Sequence, residues 1–302
     1  MDDEYAHIIV FGFNRPEHLR RCLESLKNCL DFDLYQGTIF IDGPRNPSEA
    51  ETVELCRQIA LNFSGGKFSV IAREFNMGLA NSVRNGIDYI FGKYNSIIVI
   101  EDDLILGQDF LRFINSALNH YEDNSDVASI SGFQYPLDVD LNKNVFLEGA
   151  DCWGWGTWKN RWQLVNFNGN DLIKSLKHSG LTKDLDLENS IGYSKMLEMA
   201  NRNEIDSWAI YWHVSMFLER KFTLYPAKSL VSNDGGDGTG THFGINNLYT
   251  QELNSKAKYN FSDAVERSEF FRKSLVNFYK KTNPKISFFN RIRRKINRLL
   301  LG

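Results

Sequence analysis

Along the first third of the chain, apolar and polar positions alternate so as to predict strands and helices in turn. His7-Ile8-Ile9-Val10-Phe11 is a short apolar run that reads as a buried strand. Asn14-Arg15-Pro16 follows, with a cap-like polar residue and a proline suited to a helix's first turn. Leu19, Leu23, Leu26 and Leu30 then recur on one helical face. Thr38-Ile39-Phe40-Ile41 predicts a second strand closed by the turn Asp42-Gly43-Pro44, and a helix over Ser48 to Asn62 leads to a third strand at Phe68-Ser69-Val70-Ile71. Val83, Ile87, Ile90 and Phe91 mark the next helix, and Ile97-Ile98-Val99-Ile100 is a fourth strand that runs into Glu101-Asp102-Asp103.

Strands that alternate with helices imply an α/β fold with a mostly parallel sheet covered by helices on both faces. Ligands of such sheets bind at the carboxyl ends of the strands. The polar residues that stand out lie there: Asn14 and Arg15 after strand one, Asp42 after strand two, Arg73 after strand three, and the acids after strand four. The second half is less regular. It has strand-like pieces at Ala128 to Ser131 and Val145 to Leu147, helical patterns at Ile191 to Asn203 and Trp208 to Leu218, and a glycine-rich stretch from Asn233 to Gly244. With no internal repeat and no Pro/Ser-rich linker, one domain over residues 1–262 is expected, followed by a basic helical tail over 263–302.

Composition narrows the function classes. The chain has 302 residues, 42% hydrophobic and 24% charged, with a formal net charge of −3, which is not the balance of a nucleic-acid binder. Its four cysteines include no C-x-x-C pair, so neither a zinc site nor a redox motif is indicated, and a reducing compartment is expected. The acidic start runs almost directly into a strand, and no run of about 18 apolar residues occurs; a cytoplasmic protein is the expectation.

The strongest chemical signal is Ile98-Val99-Ile100-Glu101-Asp102-Asp103-Leu104. Adjacent carboxylates past a buried strand repel one another unless a cation or donor compensates. Hard cations such as Mn²⁺ or Mg²⁺ take oxygen ligands, commonly one or two carboxylates with phosphate oxygens. A solvated acidic turn that caps the helix expected over Gln108 to Glu122 is the alternative, but the position at a strand's carboxyl end favours the site.

These acids resemble the D-x-D signature of GT-A glycosyltransferases, in the E-D-D form of the N-acetylglucosaminyltransferase I type. Phe11-Gly12-Phe13-Asn14-Arg15-Pro16 with Leu19, Leu23 and Leu26 resembles the start of family-2 bacterial glycosyltransferases that build surface polysaccharides. Asp42-Gly43 and Asn76-Met77-Gly78-Leu79 leading into Arg84-Asn85-Gly86 are similar too, so the resemblance covers roughly residues 7 to 245. It implies a GT-A (Rossmann-like) fold, a nucleotide-sugar donor (a UDP-sugar favoured), a glycan or lipid-linked glycan acceptor, a divalent cation and inversion at the anomeric carbon. By the same resemblance Asp42 would accept from the base, Asn14, Arg15 and the strand-one turn would wall the nucleotide, Arg73 or Arg84 would contact the diphosphate, Asp102 would face the ribose, and Asp103 the metal. For Asp42 a plain turn role stands beside this reading, and for each arginine an ordinary ion pair or helix face.

Ala150-Asp151-Cys152-Trp153-Gly154-Trp155-Gly156-Thr157-Trp158 is poor helix and poor strand material, so a loop displaying Trp153, Trp155 and Trp158 to a sugar acceptor is expected, with a hydrophobic plug at the sheet edge as the alternative. Asp206 in Glu204-Ile205-Asp206-Ser207-Trp208 resembles the family's Asp-Trp pair with Ser207 inserted, and is the candidate general base; a helix N-cap is the alternative role, and Glu204 or Asp151 are substitutes. His242 after the glycine-rich stretch is the candidate additional metal ligand. Beyond Glu269 no acid occurs; Phe288, Ile292, Ile296 and Leu299 oppose Arg291, Arg294, Lys295 and Arg298 on a helical projection, the pattern of a helix lying on an anionic membrane surface, with a tail folded on the catalytic domain or a partner helix as the alternative. The protein is therefore expected to be peripheral on the inner face of the cytoplasmic membrane. A nucleotidyltransferase would carry a glycine-rich G-x-G-T-R-type loop after strand one, where Gly12-Phe13-Asn14-Arg15 stands, and a non-catalytic carbohydrate-binding protein would not need acids after strand four.

Overall fold

The computed structural model describes residues 4–237, 248–253 and 256–282. Its first half follows the periodicity closely: β1 (His7–Gly12), α1 (Pro16–Lys27), β2 (Gly37–Ile41), α2 (Ala50–Ser64), β3 (Phe68–Ala72), α3 (Leu79–Phe91) and β4 (Ser96–Glu101). α1 stops earlier than the leucine series predicts, which leaves Cys29 buried and Leu30 partly exposed beyond the helix end. Next come β5 (Leu104–Leu106), α4 (Phe110–Tyr121), β6 (Val127–Ser131), β7 (Val145–Glu148), β8 (Trp155–Trp158), α5 (Lys159–Trp162), α6 (Gly169–Ser179), α7 (Thr182–Leu185), α8 (Tyr193–Asn201), α9 (Ala209–Leu218), β9 (Phe222–Tyr225), β10 (Val231–Asn233) and α10 (Glu269–Thr282).

One eight-stranded sheet organises the molecule, in the order β3-β2-β1-β4-β8-β6-β9-β7. β1, β2, β3 and β4 are parallel, whereas β8 enters antiparallel between β4 and β6. Side chains alternate across a strand, and here both faces are covered. Ile8 and Val10 of β1, with Ile98 and Ile100 of β4, pack toward α1, α2 and α4, while Ile9, Phe11, Ile97 and Val99 pack toward α3 and α9. This explains the near-continuous apolar runs that made these strands legible. Register sets the site: Gly12 lies beside Ile41, and Phe11 beside Glu101, so β1, β2 and β4 end level with one another. Residues 14–15, 42 and 102–103 therefore emerge along one edge.

The Trp/Gly segment is not a displaying loop. Trp155–Trp158 is a strand, with Trp155 0% and Trp158 4% exposed. Trp155 packs with Trp162, Trp208 and Trp212 on one face, and Trp158 faces the opposite core. An indole removes roughly 150–250 Å² from water, about 4–6 kcal/mol at 25 cal/mol per Å², so these rings belong to the core rather than to an acceptor. Gly156 makes the strand possible: a Cβ there would lie 2.6 Å from Ile114 Cγ2 and 3.0 Å from Leu118 Cδ1. Its absence lets α4 settle on β8.

The stretch expected as a tail contributes to the body as far as Thr282. Phe271, Leu275, Phe278 and Tyr279 of α10 are buried against Leu147, Leu187 and Tyr225, and Arg267 pairs with Glu148 and Asp184. Phe288, Ile292 and the basic residues among them lie outside the described residues, as does His242. Among the described residues no helix is long and apolar enough to cross a membrane.

Candidate active site

Asp102 and Asp103 follow β4 directly, Asp102 buried at 7% exposure and Asp103 half-buried. The charge they accumulate is met by Arg15, the residue before α1. Its Nη2 donates to Asp102 Oδ1 and, at 2.9 Å, to Asp103 Oδ2. Burial pushes the Asp102 carboxyl up and Arg15 opposes it, while burial with the charges of Asp103 and Asp102 lifts Glu101 to about 8. Further along the same face of α1, His18 Nε2 lies 3.2 Å from Asp237 Oδ2 and Arg21 pairs with Asp234. Asp234 reaches this place because β10 pairs antiparallel with β5, Asn233 opposite Leu104, and the Asp234 N–H donates to the Asp103 carbonyl at 2.8 Å. Gly235 sits so close that a Cβ would be 2.5 Å from Asp103 Oδ2.

The donor set at Asp102 and Asp103 fits Mg²⁺ or Mn²⁺: two hard carboxylates at the end of a buried strand, bridged by a guanidinium where a cation is required. Among the described residues no three His, Cys, Asp or Glu side chains converge as a complete metal-binding group. Such ions ordinarily complete their shell with phosphate oxygens and water.

Asp42 is buried and its carboxylate already accepts from Gly43 N–H at 3.1 Å and from Met77 N–H at 3.0 Å. Burial raises its pKa, and these donors with Arg73, 4.0 Å away, counteract that. Asp42 thus anchors the turn 76–78. Arg73 donates to the Ser82 hydroxyl and, at 2.9 Å, to its carbonyl, so it braces the start of α3. Asn14 Nδ2 donates to Glu49 at 3.1 Å; Glu49 in turn holds Arg45, whose guanidinium covers the Phe13 ring at 5.1 Å. Arg84 stands apart from this group, stacked on the Phe167 ring at 3.6 Å.

Asp206 is exposed just before Trp208 and does not cap the helix that follows it. Its carboxylate accepts from Leu79 N–H at 2.7 Å and Ala80 N–H at 3.2 Å, the first turn of α3. One turn, 76–80, therefore joins Asp42 on one side to Asp206 on the other. Of the three tryptophans expected at the acceptor, only Trp153 is half-buried near the edge, packed edge-on against Phe133 and Tyr249. Its backbone is fixed by Asp151, which accepts from Cys152 and Trp153 N–H and from the Tyr135 hydroxyl. Sequence reasoning missed His18, Arg21, Asp234 and Asp237. The spacing of Arg15, His18 and Arg21, three residues apart, would have put the bases on one helical face; nothing local links them to the acids.

A large, mostly parallel sheet flanked by helices, with acids at the carboxyl end of a central strand, is consistent with the GT-A fold of glycosyltransferases. Residues 7–175 match Glycosyl transferase family 2. That span is more than half of the chain, and the protein belongs to this family. No curated protein matches. Among solved structures, S. aureus TarS 1-349 is similar over 48% of this chain and 41% of its own, at 13% identity and a TM-score of 0.34, too loose a likeness to transfer anything. This chain thus spans less than half of that relative.

Proposed function

We propose that this glycosyltransferase moves a sugar from a nucleoside diphosphate, UDP favoured, to a hydroxyl of a glycan or lipid-linked glycan in surface polysaccharide synthesis, with inversion. The observation that supports this reading is the turn 76–80, which joins the Asp42 and Asp206 carboxylates through backbone N–H donors. In this reading Asp42, Asn14 and Phe13 wall the base, Arg73 and Arg15 face the diphosphate, and Asp102 faces the ribose. Asp103 holds Mn²⁺ or Mg²⁺, with His242 as a further ligand, and the ion when bound offsets charge on the departing diphosphate. Asp206 takes the proton of the acceptor hydroxyl. Its two amide donors fix the carboxylate, so that orientation is set before the acceptor arrives. Trp153 borders the acceptor.

Thermal melts of the full chain with UDP, GDP, TDP and CMP, each with Mn²⁺ or with EDTA, test the donor assignment. A ligand at about 100 times its Kd adds roughly 2.7 kcal/mol, a rise of several degrees for a domain of this size. One nucleoside diphosphate should raise Tm only with Mn²⁺; no rise with any of them removes the donor assignment.

The segment after Asn283 is proposed as the membrane contact, from its opposed apolar and basic residues. Truncation there should release the protein from phosphatidylserine vesicles while the melt stays near that of the full chain. Binding retained by the truncated protein would place the contact elsewhere.

A further inference from the structure

Arg15 is joined to both carboxylates of the proposed metal site, which sets up a competition. Its Nη2 contacts Asp102 Oδ1 and Asp103 Oδ2, while its Nη1 is buried and has no hydrogen-bond partner. Among the other nitrogens of the cluster, Arg21 Nε and Asn233 Nδ2 are likewise buried without hydrogen-bond partners. All three groups are donors, so an acceptor-rich anion satisfies them and a cation does not. A divalent ion bonds carboxylate oxygens at about 2.0–2.1 Å. Placed on Asp102 Oδ1 or Asp103 Oδ2, it would stand against a guanidinium already bonded to the same atoms, where partial burial leaves solvent to screen the repulsion only weakly.

We infer that Arg15 is an internal counter-cation that must leave Asp102 and Asp103 for a divalent ion to bind, and that the donor's diphosphate draws it away. The proposal rests on the donor reading above and deepens it by assigning the regulation of its metal site. The exchange conserves pairing: Arg15 trades two carboxylates for phosphate oxygens, which match its planar fork, and the carboxylates trade Arg15 for the ion. The neighbouring Arg21–Asp234 pair ties the residue after β10 to α1 independently of Arg15. Metal and nucleotide then bind as a pair, each strengthening the other by the same factor, because coupling between two ligands is reciprocal. Free enzyme keeps its acids paired and takes up little metal.

Mn²⁺ affinity, followed by the loss of the free-ion electron paramagnetic resonance signal, tests this on the full chain with and without UDP. In wild type, UDP should tighten Mn²⁺ at least tenfold. Arg15→Met removes the charge and keeps the length; it should bind Mn²⁺ at least tenfold more tightly than wild type without UDP. UDP should then tighten Mn²⁺ by a smaller factor than in wild type, the remainder coming from the phosphate oxygens' own bonds to the ion. Arg15→Lys restores a cation and should return the free-enzyme affinity toward wild type, which separates lost charge from altered folding. Mn²⁺ binding that depends on UDP but is unchanged or weakened in Arg15→Met overturns this inference alone. Failure of wild type to bind Mn²⁺ with any nucleoside diphosphate overturns the donor reading together with it.

Discussion

Asp206→Asn should lower kcat by about 10²–10⁴-fold, the range expected for losing a positioned general base, with nucleotide affinity within about twofold of wild type. Asparagine suits the test because of what Asp206 touches. Its carboxylate accepts from Leu79 and Ala80 N–H, and an amide oxygen can accept one of these bonds while lacking the basicity to take a proton. The start of α3 therefore stays anchored, and with it the turn that carries Met77 N–H to Asp42. Asp206→Ala is the useful contrast. It should cost about 1 kcal/mol of stability for the lost cap and should also weaken nucleotide binding, because turn 76–80 links both sides. Single-turnover transfer and UDP binding measured on both variants decide the matter. If Asp206→Asn transfers sugar at more than a tenth of the wild-type rate, the carboxylate is a cap for α3 and the base lies elsewhere.

The parts of the fold legible in the sequence are those where local pattern and tertiary burial agree. β1, β2 and β4 lie between helices on both faces, so they read as unbroken apolar runs, and their level ends put Arg15, Asp42 and Asp102 on one edge as expected. β8 was hidden because Gly154 and Gly156 interrupt the tryptophans, and glycine is a poor strand former in isolation; the fit of α4 over Gly156 overrides that propensity. The basic composition of the C-terminal stretch likewise obscured Phe271, Leu275 and Phe278, whose spacing of four and three residues marks the buried face of α10. Asp206 shows a different limit. Its donors lie 126 and 127 residues away in the chain, so a capping role could be anticipated but its partner could not. The same holds for Arg21 and Asp234, brought together only by the pairing of β10 with β5.

Asp103→Ala should abolish measurable transfer, with a loss of at least about 10³-fold, while the folded state survives. A bound ion contributes several kcal/mol of charge stabilisation in the transition state, and each 1.36 kcal/mol is a factor of ten in rate. Asp103 is half-buried, and its removal leaves Arg15 paired to Asp102, so no buried charge is stranded. The Asp103 carbonyl, which accepts from Asp234 N–H, is untouched by the substitution and still holds the loop after β10. The cost to stability should therefore stay at about 1.5–3 kcal/mol, the net worth of a hydrogen bond to a charged group. The variant should melt within a few degrees of wild type in the absence of ligands and should lose the Mn²⁺-dependent rise that UDP confers. An Asp103→Ala enzyme that still turns over and still requires Mn²⁺ would move the metal to other ligands, with Asp102 first among them. The Arg15 exchange would then have to be judged against Asp102 alone, since the guanidinium bonds both carboxylates and only one of them would be contested.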